Sequence, residues 1–167
     1  MSTKEHKKKA IKNARIGVIS ISSTRTREDD KSGRWIIKRA AKEGHDVIFH
    51  QVIPDKSDII IKTVVDVIND HNPQVLLLTG GTGISSQDVT IEALRPMFKK
   101  ELTAFSFLFA QLSFEEIDSA ALLSRATAGI IAKTILFCMP GSLKACKLAC
   151  KALIFPEMGH LLKHLYE

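Results

Sequence analysis

Apolar runs and amphipathic segments alternate along the first half of this chain. Residues 15–22, 46–52 and 75–79 are rich in valine, isoleucine and leucine, and each run predicts a β-strand. Between them, residues 33–43 and 55–69 carry apolar side chains at helical spacing, which predicts two amphipathic helices. The resulting β-α-β-α-β order is typical of a parallel sheet covered by helices on both faces.

The second half of the chain has a less regular pattern. It predicts a short helix at 89–94, a more apolar helix at 101–112, one strand or a bent pair of strands at 128–139, and helices at 142–154 and 157–165. Asp55 or Ser57 is the expected cap of the helix at 55–69, and Ser142 that of the helix at 142–154. No linker or repeat divides the pattern, so we expect a single domain over residues 14–167.

The net charge of +6 is concentrated at the start of the chain. Within residues 1–15, six basic side chains stand against the single acidic residue Glu5, so the rest of the chain is nearly neutral. We expect residues 1–13 to form a basic, disordered tail, and a weak polyanion contact is the lesser alternative. Because the aromatic content is 6% and no nucleic-acid-binding motif is present, a nucleic-acid partner is not expected.

The composition predicts a cytoplasmic protein without a membrane segment. Its apolar runs are too short to span a bilayer, and its start is polar and basic rather than a signal sequence. The three cysteines do not have the spacing of a zinc site and are expected to be small buried hydrophobes. The six histidines belong to no motif and are assigned to surface or core positions.

The segment VLLLTGGTGISS, residues 75–86, is the strongest chemical signal. An apolar strand there ends in a turn containing Gly80, Gly81 and Gly83, and Asp88 follows it. In open α/β sheets, ligands bind outside the carboxyl ends of the strands, where this turn is expected to lie. Backbone N–H groups of a glycine turn can bind phosphate, and a nearby carboxylate can hold Mg²⁺.

This pattern alone does not decide between a ligand site and a tight structural turn. It lacks the Lys-Ser/Thr of a P-loop and the G-x-G-x-x-G spacing of a dinucleotide site. Both interpretations stay open on the glycines alone.

Six motifs occur together in a recognisable order. They are DDKSG at 29–33, LLLTGGTG at 76–83, Asp88, LSFEEI at 112–117, SRATAGI at 124–130 and FCMPGSLKAC at 137–146. Together they resemble the MoaB/MogA family of molybdenum-cofactor biosynthesis proteins, and the MoaB branch more closely. The resemblance implies a three-layer α/β/α sandwich with a mostly parallel sheet that assembles as a homo-trimer or hexamer.

The resemblance also implies an activity, which is the Mg²⁺-dependent transfer of AMP from ATP to the terminal phosphate of molybdopterin. The product would serve a molybdate-insertion partner of the MoeA type, and tungstate would replace molybdate in some organisms. The alternative is a non-catalytic relative that carries molybdopterin or a nucleotide.

Site residues follow from the resemblance position by position. Nucleotide binding is expected at Gly80, Gly81, Thr82, Gly83, Asp29 and Asp30; catalysis and the metal at Asp88 and Asp55; and molybdopterin at Ser124, Arg125, Pro140, Gly141 and Ser142. Purely structural roles compete for some of these residues. Asp55 could simply begin a helix, and Arg125 could contact only solvent in a surface turn. Asp29 and Asp30 could belong to a solvated loop.

The chain departs from the family in one helix. Where the family has Gly-Phe-Gly-Glu-x-x-Arg, this chain has Ser106, Phe107 and Ala110 in place of the second glycine, the glutamate and the arginine. Either polar groups that hold the pterin have been lost, or the helix packs differently in this branch.

Overall fold

The structure, a computed structural model, describes residues 12–167. The basic tail expected at residues 1–13 lies almost entirely outside the described residues. The strands are β1 (Arg15–Ile21), β2 (Asp46–Ile53), β3 (Val75–Thr79), β4 (Lys100–Glu101), β5 (Thr127–Ile131) and β6 (Thr134–Met139). The α-helices are α1 (Lys31–Lys42), α2 (Ser57–His71), α3 (Thr90–Leu94), α4 (Thr103–Ile117), α5 (Leu143–Ala149) and α6 (Phe155–Tyr166).

The six strands form one mixed sheet in the order β2-β1-β3-β6-β5-β4. The first four of these run parallel, whereas β5 is antiparallel to β6 and β4 is antiparallel to β5. The segment at 128–139 is therefore a pair of strands, joined through Ala132 in a left-handed conformation with φ 52°. The expected mostly parallel sheet is confirmed.

Helices cover both faces of the sheet and create two hydrophobic cores. Alternate residues of β3 point to opposite faces, so that Val75 and Leu77 join one core and Leu76 and Leu78 the other. Helices α1, α4, α5 and α6 close the first core, and α2 and α3 close the second. The three-layer α/β/α sandwich is confirmed, and it explains why β3 is apolar on both faces.

Local hydrogen bonds move several helix boundaries from their expected positions. Helix α1 begins at Lys31 because the Asp30 carboxylate accepts a bond from the Gly33 N–H at 2.9 Å. Helix α4 begins only at Thr103, since Glu101 pairs with Gly129 in the edge strand. The N-cap of α2 is Lys56, which makes no side-chain capping bond, so the expected cap at Asp55 or Ser57 is wrong.

The last helical segment is continuous apart from one π-helical turn. Ser142 caps α5 as expected, its hydroxyl accepting a bond from the Ala145 N–H at 3.2 Å. A π turn at Cys150–Ile154 then joins α5 to α6. All three cysteines are buried free thiols, as expected, and burial raises the pKa of Cys138 to about 12. In residues 12–167, no helix is both long and apolar enough to cross a membrane.

Candidate functional site

A cleft of about 390 Å³ opens at the carboxyl ends of the parallel strands. Its lining comes from the last residue of β1, from the segments that follow β1, β2, β3 and β6, and from one residue in the segment before β5. These residues are Ile21, Ser22, Thr24, Arg25, Asp55, Gly80, Gly81, Thr82, Gly83, Asp88, Leu123, Pro140, Gly141 and Ser142. The topology thus brings together the glycine turn, both catalytic candidates and the turn after β6.

The glycine turn has a conformation that few other residues can adopt. Gly80 and Gly81 have φ of 107° and 63°, in the region that disfavours side chains. A Cβ on Gly80 would collide with the carbonyl oxygen of Ile21, and one on Gly81 would collide with Thr90. Thr90 also fixes the turn, because its hydroxyl donates to the Gly80 carbonyl at 2.9 Å. The turn leaves main-chain atoms facing the cleft without a side chain above them.

Asp88 lies beside this turn and is held by Ser85. The Ser85 N–H and hydroxyl both donate to Asp88 Oδ2, at 2.9 and 2.7 Å. The Ser85 hydroxyl is the main cause that lowers the pKa of Asp88, and the Arg125 charge adds a smaller effect in the same direction. The site therefore contains an ionised carboxylate at neutral pH.

Asp55 enters the cleft from the end of β2. Its carboxylate accepts a hydrogen bond from the Ser23 hydroxyl. The Asp55 N–H donates to the oxygen of that hydroxyl, Ser23 Oγ, at 3.4 Å. Since Asp55 does not cap α2, its carboxylate is directed to the loop after β1 and remains among the residues that line the cleft.

The turn after β6 forms the opposite wall. The Gly141 carbonyl accepts bonds from the Arg25 guanidinium at 3.1 Å and from the Ser32 hydroxyl at 2.9 Å. A Cβ on Gly141 would lie 3.3 Å from Gly80 Cα, so the two turns approach each other closely. The segments assigned separately to nucleotide and pterin thus form one continuous surface.

Four of the expected site residues do not line this cleft. Asp30 is buried and accepts from the Ser20 hydroxyl at 2.5 Å, with His50 at 3.1 Å, whereas Asp29 is exposed. Of the other two, Ser124 donates its N–H to the Ala121 carbonyl, and Arg125 contacts the glycine turn. The Arg125 guanidinium donates to the Gly83 carbonyl at 2.7 Å and forms an ion pair with Glu92.

Sequence reasoning missed several residues that line the cleft. Arg25 is the most important of them, because a guanidinium in a cleft binds phosphate oxygens well. It lies in a polar loop with no motif. The available signal was positional, since this loop follows the carboxyl end of β1 and so reaches the same edge as the glycine turn.

Comparison with known proteins identifies the family. Residues 17–160 match the family described as "Probable molybdopterin binding domain". The chain belongs to the MoaB/MogA family. The resemblance seen in the six motifs is therefore confirmed over most of the chain.

Relatives of this family match the chain over its whole length. Molybdenum cofactor biosynthesis protein B from Bacillus subtilis is 44% identical over 99% of this chain and 98% of its own. Molybdopterin adenylyltransferase from Pyrococcus furiosus is 38% identical, with complete coverage of both chains. The crystal structure of the tungsten cofactor synthesizing protein MoaB from P. furiosus has a TM-score of 0.85 at 36% identity, covering 95% of this chain and 100% of the other.

The helix that departs from the family pattern is α4. Phe105 and Phe109 point inward to the core, and the Ser106 hydroxyl donates to the Ala126 carbonyl at 2.9 Å. Phe107 is 75% exposed and does not line the cleft. Of the three departures, Ser106 is half-buried and Phe107 and Ala110 are exposed, so they lie outside the core of α4.

The donor set of the cleft fits a hard divalent cation. Asp88 and Asp55 are two carboxylates on one cleft, and Mg²⁺ in nucleotide enzymes is held by one or two carboxylates together with substrate phosphates. Within residues 12–167, no group of three or more His, Cys, Asp and Glu side chains is arranged to hold a metal alone. The cleft therefore suits a cation that arrives with a nucleotide.

Proposed function

We propose that this chain is a molybdopterin adenylyltransferase. A terminal phosphate oxygen of molybdopterin attacks the α-phosphorus of ATP, a new P–O bond forms, and the bond to the β-phosphate breaks. The products are adenylylated molybdopterin and pyrophosphate. Relatives named molybdopterin adenylyltransferase, at 38% identity over nearly the whole chain, support this function.

The glycine turn is assigned to the nucleotide phosphates. Gly80, Gly81, Thr82 and Gly83 offer main-chain atoms at close range, because no Cβ covers Gly80, Gly81 or Gly83. Thr82 is buried and contributes its backbone. Positioning is what this chemistry requires most, since nucleotidyl transfer needs little covalent help from the protein.

Asp88 and Asp55 are assigned to Mg²⁺, which would be bound together with the ATP phosphates. When bound, this cation neutralises charge that develops on the phosphate oxygens. Asp88 is suited to the role because the Ser85 hydroxyl lowers the pKa of its carboxyl, and Asp55 because it accepts a hydrogen bond from the Ser23 hydroxyl.

Pro140, Gly141 and Ser142 are assigned to the pterin and its phosphate, with Arg25 as an added phosphate ligand. Arg25 already contacts the Gly141 carbonyl, so its guanidinium lies where the two walls meet. Arg125 is assigned a positioning role, because its contacts with Gly83 and Glu92 hold the glycine turn. Asp30 is assigned a supporting role, because it caps α1, whose Ser32 donates to the Gly141 carbonyl.

The product of this reaction is suited to a MoeA-type partner that inserts molybdate or tungstate. We also propose that the chain assembles as a homo-trimer or hexamer. Exposed apolar side chains of α4 and of the 3₁₀ segment Asp118–Leu123, namely Phe107, Leu108, Phe114, Ile117, Leu122 and Leu123, are the candidate contact surface.

The single observation that carries the proposed activity is the convergence of the glycine turn, two carboxylates and the turn after β6 on one cleft. The test is to incubate the protein with molybdopterin, ATP and Mg²⁺ and to measure adenylylated pterin and pyrophosphate. We expect product from the wild type and none from Asp88→Asn, which keeps an oxygen acceptor for Ser85 but loses the charge.

Asp70→Asn is the matched control, because Asp70 is exposed on α2 and does not line the cleft. It should retain wild-type turnover. A wild type that binds molybdopterin without forming product would instead identify a carrier. Full turnover by Asp88→Asn would remove Asp88 from the proposed site.

A further inference from the structure

A second hollow lies beside the cleft, at the carboxyl ends of β1 and β2. Its volume is about 570 Å³. The loop after β1, the end of β2 and the residue before α2 supply its lining, which consists of Ser22, Ser23, Arg25, Thr26, Arg27, His50, Gln51, Val52, Ile53, Pro54 and Lys56. Ser22 and Arg25 also line the cleft, so the two spaces adjoin. The assignments of nucleotide and pterin leave this hollow unused.

The charged side chains that line the hollow are basic. They are Arg25, Arg27 and Lys56, and none of the described residues in the lining is an aspartate or a glutamate. In the part of the chain that the structure describes, none of the three forms an ion pair. All three are exposed and so are accessible to a ligand. Three uncompensated cations around one concave space favour an anionic ligand.

The carboxylates beside the hollow are directed to partners of their own. Asp29 accepts a hydrogen bond from the Thr26 hydroxyl at 3.1 Å, and Asp55 accepts one from the Ser23 hydroxyl. Neither aspartate is part of the lining of the hollow. An anion in the hollow would therefore meet guanidinium and ammonium groups rather than a carboxylate.

Strand order places the hollow and the turn after β6 on opposite sides of the glycine turn. The sheet runs β2-β1-β3-β6, with the hollow at β2 and β1, the glycine turn after β3, and residues 140–142 after β6. In an in-line displacement, the attacking and leaving oxygens lie on opposite sides of the phosphorus. If the pterin phosphate attacks from the turn after β6, the leaving group is directed towards the hollow.

Arg25 lies where the hollow meets the cleft. Its guanidinium donates to the Gly141 carbonyl at 3.1 Å, and it lines both spaces. A guanidinium has several N–H donors, so this bond leaves others for phosphate oxygens. Arg27 and Lys56, by contrast, line the hollow and not the cleft. These two residues should therefore affect only the part of a ligand that enters the hollow.

We propose that the hollow binds the β- and γ-phosphates of ATP and the pyrophosphate that they become. This inference rests on the proposed adenylyl transfer. The bond between the α-phosphorus and the oxygen that bridges it to the β-phosphorus breaks, and that oxygen leaves with its electron pair as part of pyrophosphate. Arg25, Arg27 and Lys56 neutralise the negative charge that the leaving group gains. AMP, which has no β-phosphate, occupies the cleft alone.

The test compares pyrophosphate, ATP and AMP by calorimetric titration of the full-length protein, with Mg²⁺ present throughout. In Arg27→Gln/Lys56→Gln, the affinities for pyrophosphate and ATP should each fall at least about tenfold, because charge-assisted hydrogen bonds are lost. The affinity for AMP should stay at the wild-type level. Lys38→Gln/Lys42→Gln is the matched control, since it removes two positive charges from exposed positions on α1. It should leave all three affinities unchanged.

The kinetics of turnover provide a second readout. In Arg27→Gln/Lys56→Gln, the KM for ATP should rise, and pyrophosphate should become a weaker product inhibitor by a similar factor. The control variant should keep both wild-type values.

Three results would overturn the proposal. They are a wild type that does not bind pyrophosphate, an unchanged pyrophosphate affinity in Arg27→Gln/Lys56→Gln, and a loss of AMP affinity in that variant equal to its loss of ATP affinity. The binding measurements do not depend on turnover. A protein with the expected pattern of affinities that transfers no AMP would contradict the proposed activity and still support the diphosphate subsite.

Discussion

Ser85 lowers the pKa of Asp88, and this effect can be measured. The pKa of Asp88 is lowered mainly by the Ser85 hydroxyl, so the carboxylate loses its charge only at pH values below those of an ordinary aspartate. In Ser85→Ala this hydrogen bond is lost and the pKa should rise towards its usual value. If the charged form is required for turnover, the acidic limb of the kcat/KM profile should move to higher pH.

Ser86→Ala is the matched control for that experiment. Ser86 is exposed and adjacent in sequence, and the donors to the Asp88 carboxylate come from Ser85. Its pH profile should coincide with that of the wild type. An unchanged acidic limb in Ser85→Ala would mean that ionisation of Asp88 does not limit the reaction at low pH.

Gly81 allows a second test, which separates backbone strain from ligand binding. An alanine at a positive φ costs about 1–2 kcal/mol of stability, and at Gly81 its Cβ would also collide with Thr90. Gly81→Ala should therefore lower the free energy of unfolding in urea by at least this amount. It should also weaken ATP binding, because the turn that we propose for the nucleotide phosphates is displaced.

Gly44→Ala provides the comparison, since Gly44 has φ 86° and open space around it. This variant should lose a similar 1–2 kcal/mol or so from backbone strain while ATP affinity stays at the wild-type level. Equal losses of ATP affinity in both variants would indicate that the effect comes from general destabilisation rather than from the turn.

At the scale of elements, the apolar periodicity predicted the strands and helices of the first half of the chain. The strands β1, β2 and β3 and the helices between them follow from apolar spacing, because each buries its own apolar residues. The limits of α1, α2 and α4 did not follow. Asp30, a polar residue outside the apolar pattern, extends α1 at its start through its bond to the Gly33 N–H. Helix α4 begins two residues later than predicted, because Glu101 pairs with the distant Gly129, and it continues beyond the predicted end to Ile117.

The roles of individual aspartates were ambiguous for the same reason. Asp30, in the motif DDKSG, has an acidic neighbour in Asp29, yet only Asp30 turns inward to cap α1. Asp55 precedes a helix without capping it, and its partner Ser23 is 32 positions away in the chain. Side-chain direction depends on tertiary contacts that no spacing rule contains.

At the scale of the whole molecule, the cleft is a product of strand order. Because β1, β3 and β6 are neighbours and parallel, the segments after Ile21, Thr79 and Met139 meet at one edge. The sequence motifs predicted the turns after β3 and β6. They did not predict Arg25, since a single arginine in a polar loop acquires a role only when the sheet places it opposite Gly141.

The exposed apolar surface of α4 leads to a prediction about how subunits assemble. Phe107 and Phe114 are seven residues apart, so they share one side of the helix, and they are 75% and 58% exposed. Leu122, at 85%, and Leu123 extend this apolar surface, and Leu123 also lines the cleft. Burial of one phenylalanine contributes about 1.5–3 kcal/mol, which is a substantial part of an interface between copies.

The variant Phe107→Glu/Phe114→Glu should therefore convert the proposed trimer or hexamer to a monomer. Each subunit should remain folded, because neither side chain is part of a core. Light scattering coupled to size-exclusion chromatography measures the mass, and circular dichroism checks the fold. Val65→Glu, on the exposed side of α2, is the control and should keep the wild-type mass. A monomeric wild type, or a double variant of unchanged mass, would show that subunits do not meet at this surface. Because Leu123 belongs to both the surface and the cleft, a monomeric variant should also have a higher KM for at least one substrate.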